Sequence, residues 1–180
     1  NLTCAYKINE PVLRVEKLDI SRGKFVVILG QSGGGKSTLL ETLGLMNNTI
    51  ANGSSLTFNP SDNNEEKIQF ENLWKEKNES TLADIRNKHF SFIFQETNLM
   101  SNFSILENIV LTQLMQGKSI KESQPSIRTL MDQMGLKDVD ENKNVLELSG
   151  GQKQRIAFIR AIMPDFSILF GDEPTGNLDD

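Results

Sequence analysis

Residues 30–37 read GQSGGGKS and match G-x-x-x-x-G-K-[ST] at every fixed position. Gly30, Gly33, Gly34 and Gly35 let the backbone curl until several N–H groups face one hollow, with Gln31 and Ser32 between them. A helix that starts at this point adds the positive end of its dipole. The stretch therefore reads as a phosphate-binding loop, in which Lys36 reaches the β- and γ-phosphates and Ser37 offers a hydroxyl to Mg2+. The competing reading is a glycine-rich turn whose lysine faces solvent, and the flanking sequence decides between them. Residues 25–29, FVVIL, form a continuous β-branched and apolar run of the kind a strand buried on both faces shows. On the other side, Thr38 is followed by Leu39, Leu40 and Leu43 at helical spacing. A strand–loop–helix context favours the phosphate cradle.

Two further stretches repeat the buried-strand pattern. Residues 90–94, FSFIF, end in Gln95, and residues 166–170, FSILF, end in Gly171, Asp172 and Glu173. An apolar strand that ends in adjacent acids reads as the second half of a nucleotide site. Before the loop, Leu13, Val15, Leu18 and Ile20 alternate with polar residues, predicting half-exposed strands that include the single tyrosine, Tyr6, and turn at Arg22-Gly23. Asn52-Gly53 signals a hairpin ahead of Leu56, Thr57 and Phe58. A short helix is expected over 82–88, and the segment 65–79 is ambiguous. Trp74 within it reads as partly buried, with a surface anchor as the alternative, and the single histidine, His89, as structural.

From 98 to 136 the pattern is helical without strands. Ser104, Ile105, Leu106 and Glu107 form a capping box, and Leu106, Ile109, Val110 and Leu114 are expected on one face of the helix it opens. Ile127, Leu130, Met131 and Met134 make another helix closed by Gly135, its methionines filling core. A polar run then leads to LSGGQ at 148–152, and Ile156, Phe158, Ile159 and Ile162 continue as a helix up to Pro164.

Composition narrows the class. One cysteine, Cys4, excludes an internal disulfide, a C-x-x-C pair and a cysteine zinc cluster, and fits a reducing compartment. The net charge of −5 gives no overall field for nucleic acid or an anionic bilayer, and no apolar run is long enough to span a membrane. The chain opens on Asn1 and stops at Asp180 within a motif, so it is expected to be a fragment, truncated at both ends.

The ordered set of phosphate loop, strand-end Gln95, LSGGQ, apolar strand with Asp172-Glu173, and the GNLD run at 176–179 resembles the ATP-binding cassette (ABC) ATPases over essentially the whole chain. DEPTGNLD, the ILEN segment after Gln95 and ILGQSGGGKSTLL look most like the branch that serves lipoprotein release, macrolide efflux and cell division. The resemblance implies an α/β fold: a P-loop NTPase core with a mostly parallel sheet, an N-terminal antiparallel β subdomain and an inserted α-helical subdomain. It implies one domain over 1–180, with 1–95 as β subdomain and loop core, 96–147 as helical subdomain, and 148–180 as signature motif and remaining core.

The resemblance also implies roles. ATP would lie on residues 30–38, with Tyr6 stacked on adenine, although a core or surface tyrosine is the alternative. Mg2+ would be held by Ser37, Gln95 and, through water, Asp172, while Glu173 polarises the attacking water and Gln95 senses the γ-phosphate. The strand's pleat would turn Asp172 and Glu173 apart. Ser149, Gly150, Gly151 and Gln152 would cap the nucleotide of a second subunit, and Asp179 would cross that interface. The expected partners are a second ABC ATPase subunit, in a head-to-tail homodimer or with a related chain, and an integral membrane permease-type protein, with no nucleic acid. The chain would sit in the cytoplasm, on the inner face of the cell membrane through that partner. Gln31 and Gly34 stand where the family more often has proline and serine, Gly171 interrupts the apolar run, 46–80 is longer than usual, and the family's switch histidine would lie beyond Asp180. The alternative function is a soluble ABC ATPase in DNA repair, chromosome or translation work. A long coiled coil between Gln95 and the signature would mark the chromosome type, and no heptads occur there. A non-catalytic binding module is the third reading.

Overall fold

The computed structural model describes residues 1–7, 10–60, 67–76 and 78–173. The chain divides into two units, Asn1–Arg86 and Asn87–Asp180.

In the first unit, β1 (Leu2–Lys7) pairs antiparallel with β2 (Glu10–Val15). Leu2 and Cys4 point inward and meet Leu39 of α1 (Lys36–Leu43), with Leu13, Val15 and Leu43 around them, whereas Leu18 and Ile20, expected in the same alternation, lie past β2 and are exposed. The other edge of β1 is taken by the chain that returns after α1. Ala5 N–H donates to Thr49 O at 2.8 Å, and Ala51 N–H to Thr3 O at 2.9 Å. Asn52-Gly53 turns, with Gly53 at φ 83°, but it closes this return rather than a strand hairpin. The antiparallel pair downstream is β3 (Thr57–Phe58) with β4 (Ile68–Gln69), joined by the longer connection across 59–67. The ambiguous segment yields α2 (Phe70–Glu76), where Trp74 is partly buried as expected. The next helix, α3 (Glu79–His89), is longer than the expected 82–88 and carries the unit boundary.

The run 25–29 departs from expectation. It forms no strand, and its side chains are exposed, from Ile28 at 36% to Phe25 at 93%. Apolarity states what a segment can bury; strand formation also needs a free ladder edge. Within its own unit, both edges of β1 are occupied, by β2 and by the 49–51 return. The turn at Arg22-Gly23 is present, with Gly23 at φ 70°.

In the second unit, β5 (Phe90–Ile93) pairs parallel with β6 (Ile168–Gly171), in register from Phe90↔Ile168 to Ile93↔Gly171. Phe92 stacks on Phe170 with centroids 5.2 Å apart, and Phe90 meets the same ring edge-on at 5.6 Å. β6 starts two residues later than the apolar run suggests, because Ser167 N–H already bonds His89 O and leaves Phe166 outside the pair, exposed. His89 has a structural contact, its Nδ1 lying 3.2 Å from Ser167 Oγ.

Between the strands lie α4 (Ile105–Met115), α5 (Ile120–Gln133) and α6 (Gly150–Ile162). Their shared core is built on Ile105, Ile109, Ile127, Met131, Ile156 and Ile159. Each helix opens on a capping box, set by Ser104/Glu107, Ser119/Glu122 and Ser149/Gln152. α4 corrects one expectation. Ile109 and Val110 are buried, but Leu114 is 44% exposed, and two further inward positions belong to Asn108 in the first turn and Gln113 near the helix end. Their amides reach carbonyls of neighbouring segments, which an apolar count cannot register. Ile109→Ala should therefore cost about 2–5 kcal/mol. Leu114→Ala should cost less than about 0.5 kcal/mol. Urea denaturation of the full-length protein measures both, and equal losses would refute this placement of the α4 face.

Candidate functional site

The glycine loop is held in shape by its own backbone. Gly33 and Gly35 sit at φ 76° and 82°, conformations that L side chains rarely take, and Gly34 N–H donates to Gln31 O at 3.1 Å. A Cβ on Gly35 would lie 3.3 Å from Leu13 Cβ, so a side chain there would crowd β2 in addition to straining the left-handed φ. Lys36 folds back along the loop, its Nζ donating to Gly30 O at 3.0 Å and Gln31 O at 2.9 Å. The ammonium is thus kept beside the loop, where it can exchange carbonyl partners for phosphate oxygens.

α1 begins at Lys36 with Gly35 as N-cap, no capping side chain and no acid in its first turn. Four N–H groups at a helix start need acceptors, so this end is left for an anion. Ser32 and Ser37 are exposed there, while Thr38 is buried. Tyr6, on β1, is 60% exposed, which removes the core reading, and its hydroxyl lies 3.2 Å from Thr38 Oγ1 on that first turn.

The second cluster lies at the carboxyl ends of β5 and β6. Asp172 N–H donates to Ile93 O at 2.9 Å, carrying the parallel ladder one residue past β6. Gln95 Nε2 then donates to Glu173 Oε2 at 3.0 Å. Asp172 and Glu173 both lie past the end of β6, and Glu173 has φ 47°, in the left-handed region, so a strand pleat does not set its direction. Such strain in a non-glycine residue collects at functional sites. Within this unit the oxygen donors of Gln95 and Asp172 are of the type that suits a hard cation. Among the described residues no group of three or more His, Cys, Asp or Glu side chains could cage a metal alone.

The third cluster is the start of α6. Ser149 Oγ accepts from Gln152 N–H at 3.3 Å, and Gln152 Oε1 accepts from Ser149 N–H at 2.9 Å. This box leaves the N–H groups of Gly150 and Gly151 outside it. Nothing lies within 4 Å of a Cβ built on either glycine. This chain therefore gives no steric reason for glycine at either position. Asp179 and the GNLD run fall outside the described residues.

Comparison with known proteins shows the family. The family model described as ABC transporter matches residues 13–176. This chain belongs to that family. The lipoprotein-releasing system ATP-binding protein LolD of Chromohalobacter salexigens is 37% identical over 93% of this chain and 65% of its own length. The macrolide export ATP-binding/permease protein MacB of Mannheimia succiniciproducens is 40% identical over 93% of this chain and 24% of its own length. The chain thus spans less than two thirds of these relatives. Among solved structures, the dimeric structure of a bacterial ABC transporter cassette superposes with TM-score 0.80 at 31% identity, covering 99% of this chain and 74% of that one. A dimeric post-hydrolysis state of that cassette, bound to ADP and Pi, gives 0.79 at 29% identity, covering 100% of this chain and 75% of that one. The ABC cassette fold is therefore that of a P-loop NTPase with antiparallel N-terminal strands and an α-helical insertion, as the motifs implied. The relatives come from lipoprotein release and macrolide export, two systems of the branch that the motifs resemble.

Two polar side chains of this ABC cassette escaped the sequence reading. Asn108 sits at 0% exposure inside the apolar stripe of α4, and a polar residue between Ile105 and Ile109 was the available signal. Arg160 looks in sequence like any surface cation on α6. Only the fold shows where its guanidinium ends.

The glycines make opposite predictions. Gly35→Ala combines a left-handed φ with a close contact and should lower stability by about 1–3 kcal/mol. Gly150→Ala has open space at a helix start and should leave stability unchanged or raise it by up to about 1 kcal/mol. Thermal unfolding of the two variants tests this, and destabilisation by Gly150→Ala would show an internal role for that glycine.

Proposed function

We propose that this chain is the ATP-binding and hydrolysing subunit of an ABC transporter or mechanotransmission complex, which closes as a dimer around ATP to drive a membrane partner. The observation that carries the reading is the Gln95–Glu173 hydrogen bond at the shared carboxyl end of two parallel strands, in a chain whose glycine loop runs into an uncapped helix. In this reading residues 30–38 bind the triphosphate, Lys36 neutralises its terminal phosphates and Tyr6 stacks on the base. Ser37, Gln95 and Asp172 would hold Mg2+, which supplies charge neutralisation at the phosphates. Glu173 orients and polarises the attacking water, with its carboxylate aimed by the amide of Gln95. The nucleophile is water.

The opened N–H groups and bare Cα atoms of Gly150 and Gly151 support a role in trans. They suit a second subunit's γ-phosphate, approached too closely for side chains. Two copies arranged head to tail would complete two sites, with Asp179 at the interface. The relatives' names, a lipoprotein-releasing system and a macrolide export permease, support work with a permease-type membrane protein. Among the described residues no helix is long and apolar enough to cross a membrane, which fits a peripheral place on its inner face. Between Gln95 and Leu148 the chain builds α4 and α5, not a long coiled coil, which disfavours the soluble chromosome-type reading.

Glu173→Gln in the full-length protein should lower the ATPase rate by about 10²–10⁴-fold and trap ATP-bound dimers in sedimentation. Lys36→Ala should fail to bind nucleotide and stay monomeric. Hydrolysis by Glu173→Gln at the wild-type rate would overturn the assignment of the base.

A further inference from the structure

Between Gln95 and α4, the chain passes through residues 96–104 outside any helix or strand, and polar side chains hold it there. Arg160, in the last turn of α6, donates from Nη1 to Asn98 O at 2.8 Å and from Nη2 to Thr97 O at 2.7 Å. Asn98 is held at φ 46°, a left-handed conformation that brings its carbonyl beside that of Thr97. Asn108 grips the next stretch, its Nδ2 donating to Met100 O at 3.1 Å and Ser104 O at 2.9 Å, while Oδ1 accepts from Met100 N–H at 2.7 Å. Asn144, close before the signature, donates to Ser101 O at 2.9 Å.

Arg160 is the member of this set that spans two functional clusters. Among the described residues it pairs with no carboxylate; both its acceptors are backbone carbonyls just after Gln95. Partial burial pulls its pKa below the ordinary arginine value, yet a guanidinium stays charged at neutral pH. A fork with two parallel N–H groups fits two adjacent carbonyls, and a lysine ammonium does not. The other end of α6 carries Ser149, Gly150 and Gly151, about 16 Å away along a rigid helix.

We propose that Arg160 is a positioning residue for Gln95: it fastens the glutamine's loop to the signature helix, so that movement of α6 against a second subunit's nucleotide reaches the Gln95–Glu173 pair of its own chain. The inference rests on the proposed function, since it takes Gln95 and Glu173 as parts of the hydrolytic site. It adds a direct link, within one chain, between the site completed in trans and the site completed in cis. A purely structural arginine would hold the loop equally well whether or not Gln95 were present.

That difference sets the test. In the full-length protein, ATPase kcat, nucleotide Kd and Tm are measured for Arg160→Lys, Gln95→Ala and the double variant. Arg160→Lys is expected to lower kcat about tenfold while Kd stays within about twofold. In the Gln95→Ala background the same substitution should change kcat by less than about twofold, because its effect runs through the missing glutamine. Arg160→Gln, read in the same cycle, replaces the lysine variant if that one fails to fold. Equal fold losses in both backgrounds, or an unchanged kcat for Arg160→Lys, would overturn the proposal. Wild-type kcat for Gln95→Ala alone would overturn the proposed function as well, which separates the two failures.

Discussion

The parallel pairing of β5 with β6 is the constraint on which the second unit depends. Parallel strands end on the same side, so one ladder of backbone hydrogen bonds brings Gln95 and Glu173, far apart in sequence, to 3.0 Å. The rings of Phe90, Phe92 and Phe170 brace that ladder from one strand to the other. Ser91 Oγ donates to Ala161 O, which ties β5 to the last turns of α6. The strand ends are consequently fixed against the helical elements, and loops that carry chemistry can be short and strained without collapsing.

Helix ends divide the labour between binding and structure. α4, α5 and α6 close their N-termini with reciprocal side-chain and backbone hydrogen bonds. α1 does not, and its glycine cap leaves donors pointing out where the loop curls. The exception among these helix starts is the one that follows G-x-x-x-x-G-K-[ST]. α6 is intermediate in character: its box satisfies Ser149 and Gln152 but leaves Gly150 and Gly151 bare. A side chain there would meet nothing among the described residues, which fits the proposed approach of a second subunit's nucleotide.

Polar side chains do more of the positioning than the apolar pattern suggests. Asn108 is fully buried, Gln113 reaches Met163 O, and Arg160 reaches the carbonyls after Gln95. Each serves a segment that has no ladder of its own. Their amide and guanidinium groups replace the backbone partners that strands and helices would otherwise supply. The left-handed backbone at Asn98 lies in one of these stretches, where surrounding contacts over-determine the conformation.

The sequence by itself determined the local devices: the loop glycines, the capping box at Ser104, the apolar runs that hold β5 and β6, and the family to which the motifs belong. These follow from nearest-neighbour chemistry, in which a residue type and its spacing suffice. Tertiary structure alone decided that 25–29 pairs with nothing in its own unit, that Leu114 faces outward while Asn108 faces in, and that Arg160 ends on Thr97 and Asn98. It also decided that Asp172 and Glu173 lie past the end of β6, with Glu173 at a left-handed φ. All four depend on which edges and carbonyls distant segments present, and a one-dimensional pattern of apolar and polar residues does not encode who arrives at an open edge first.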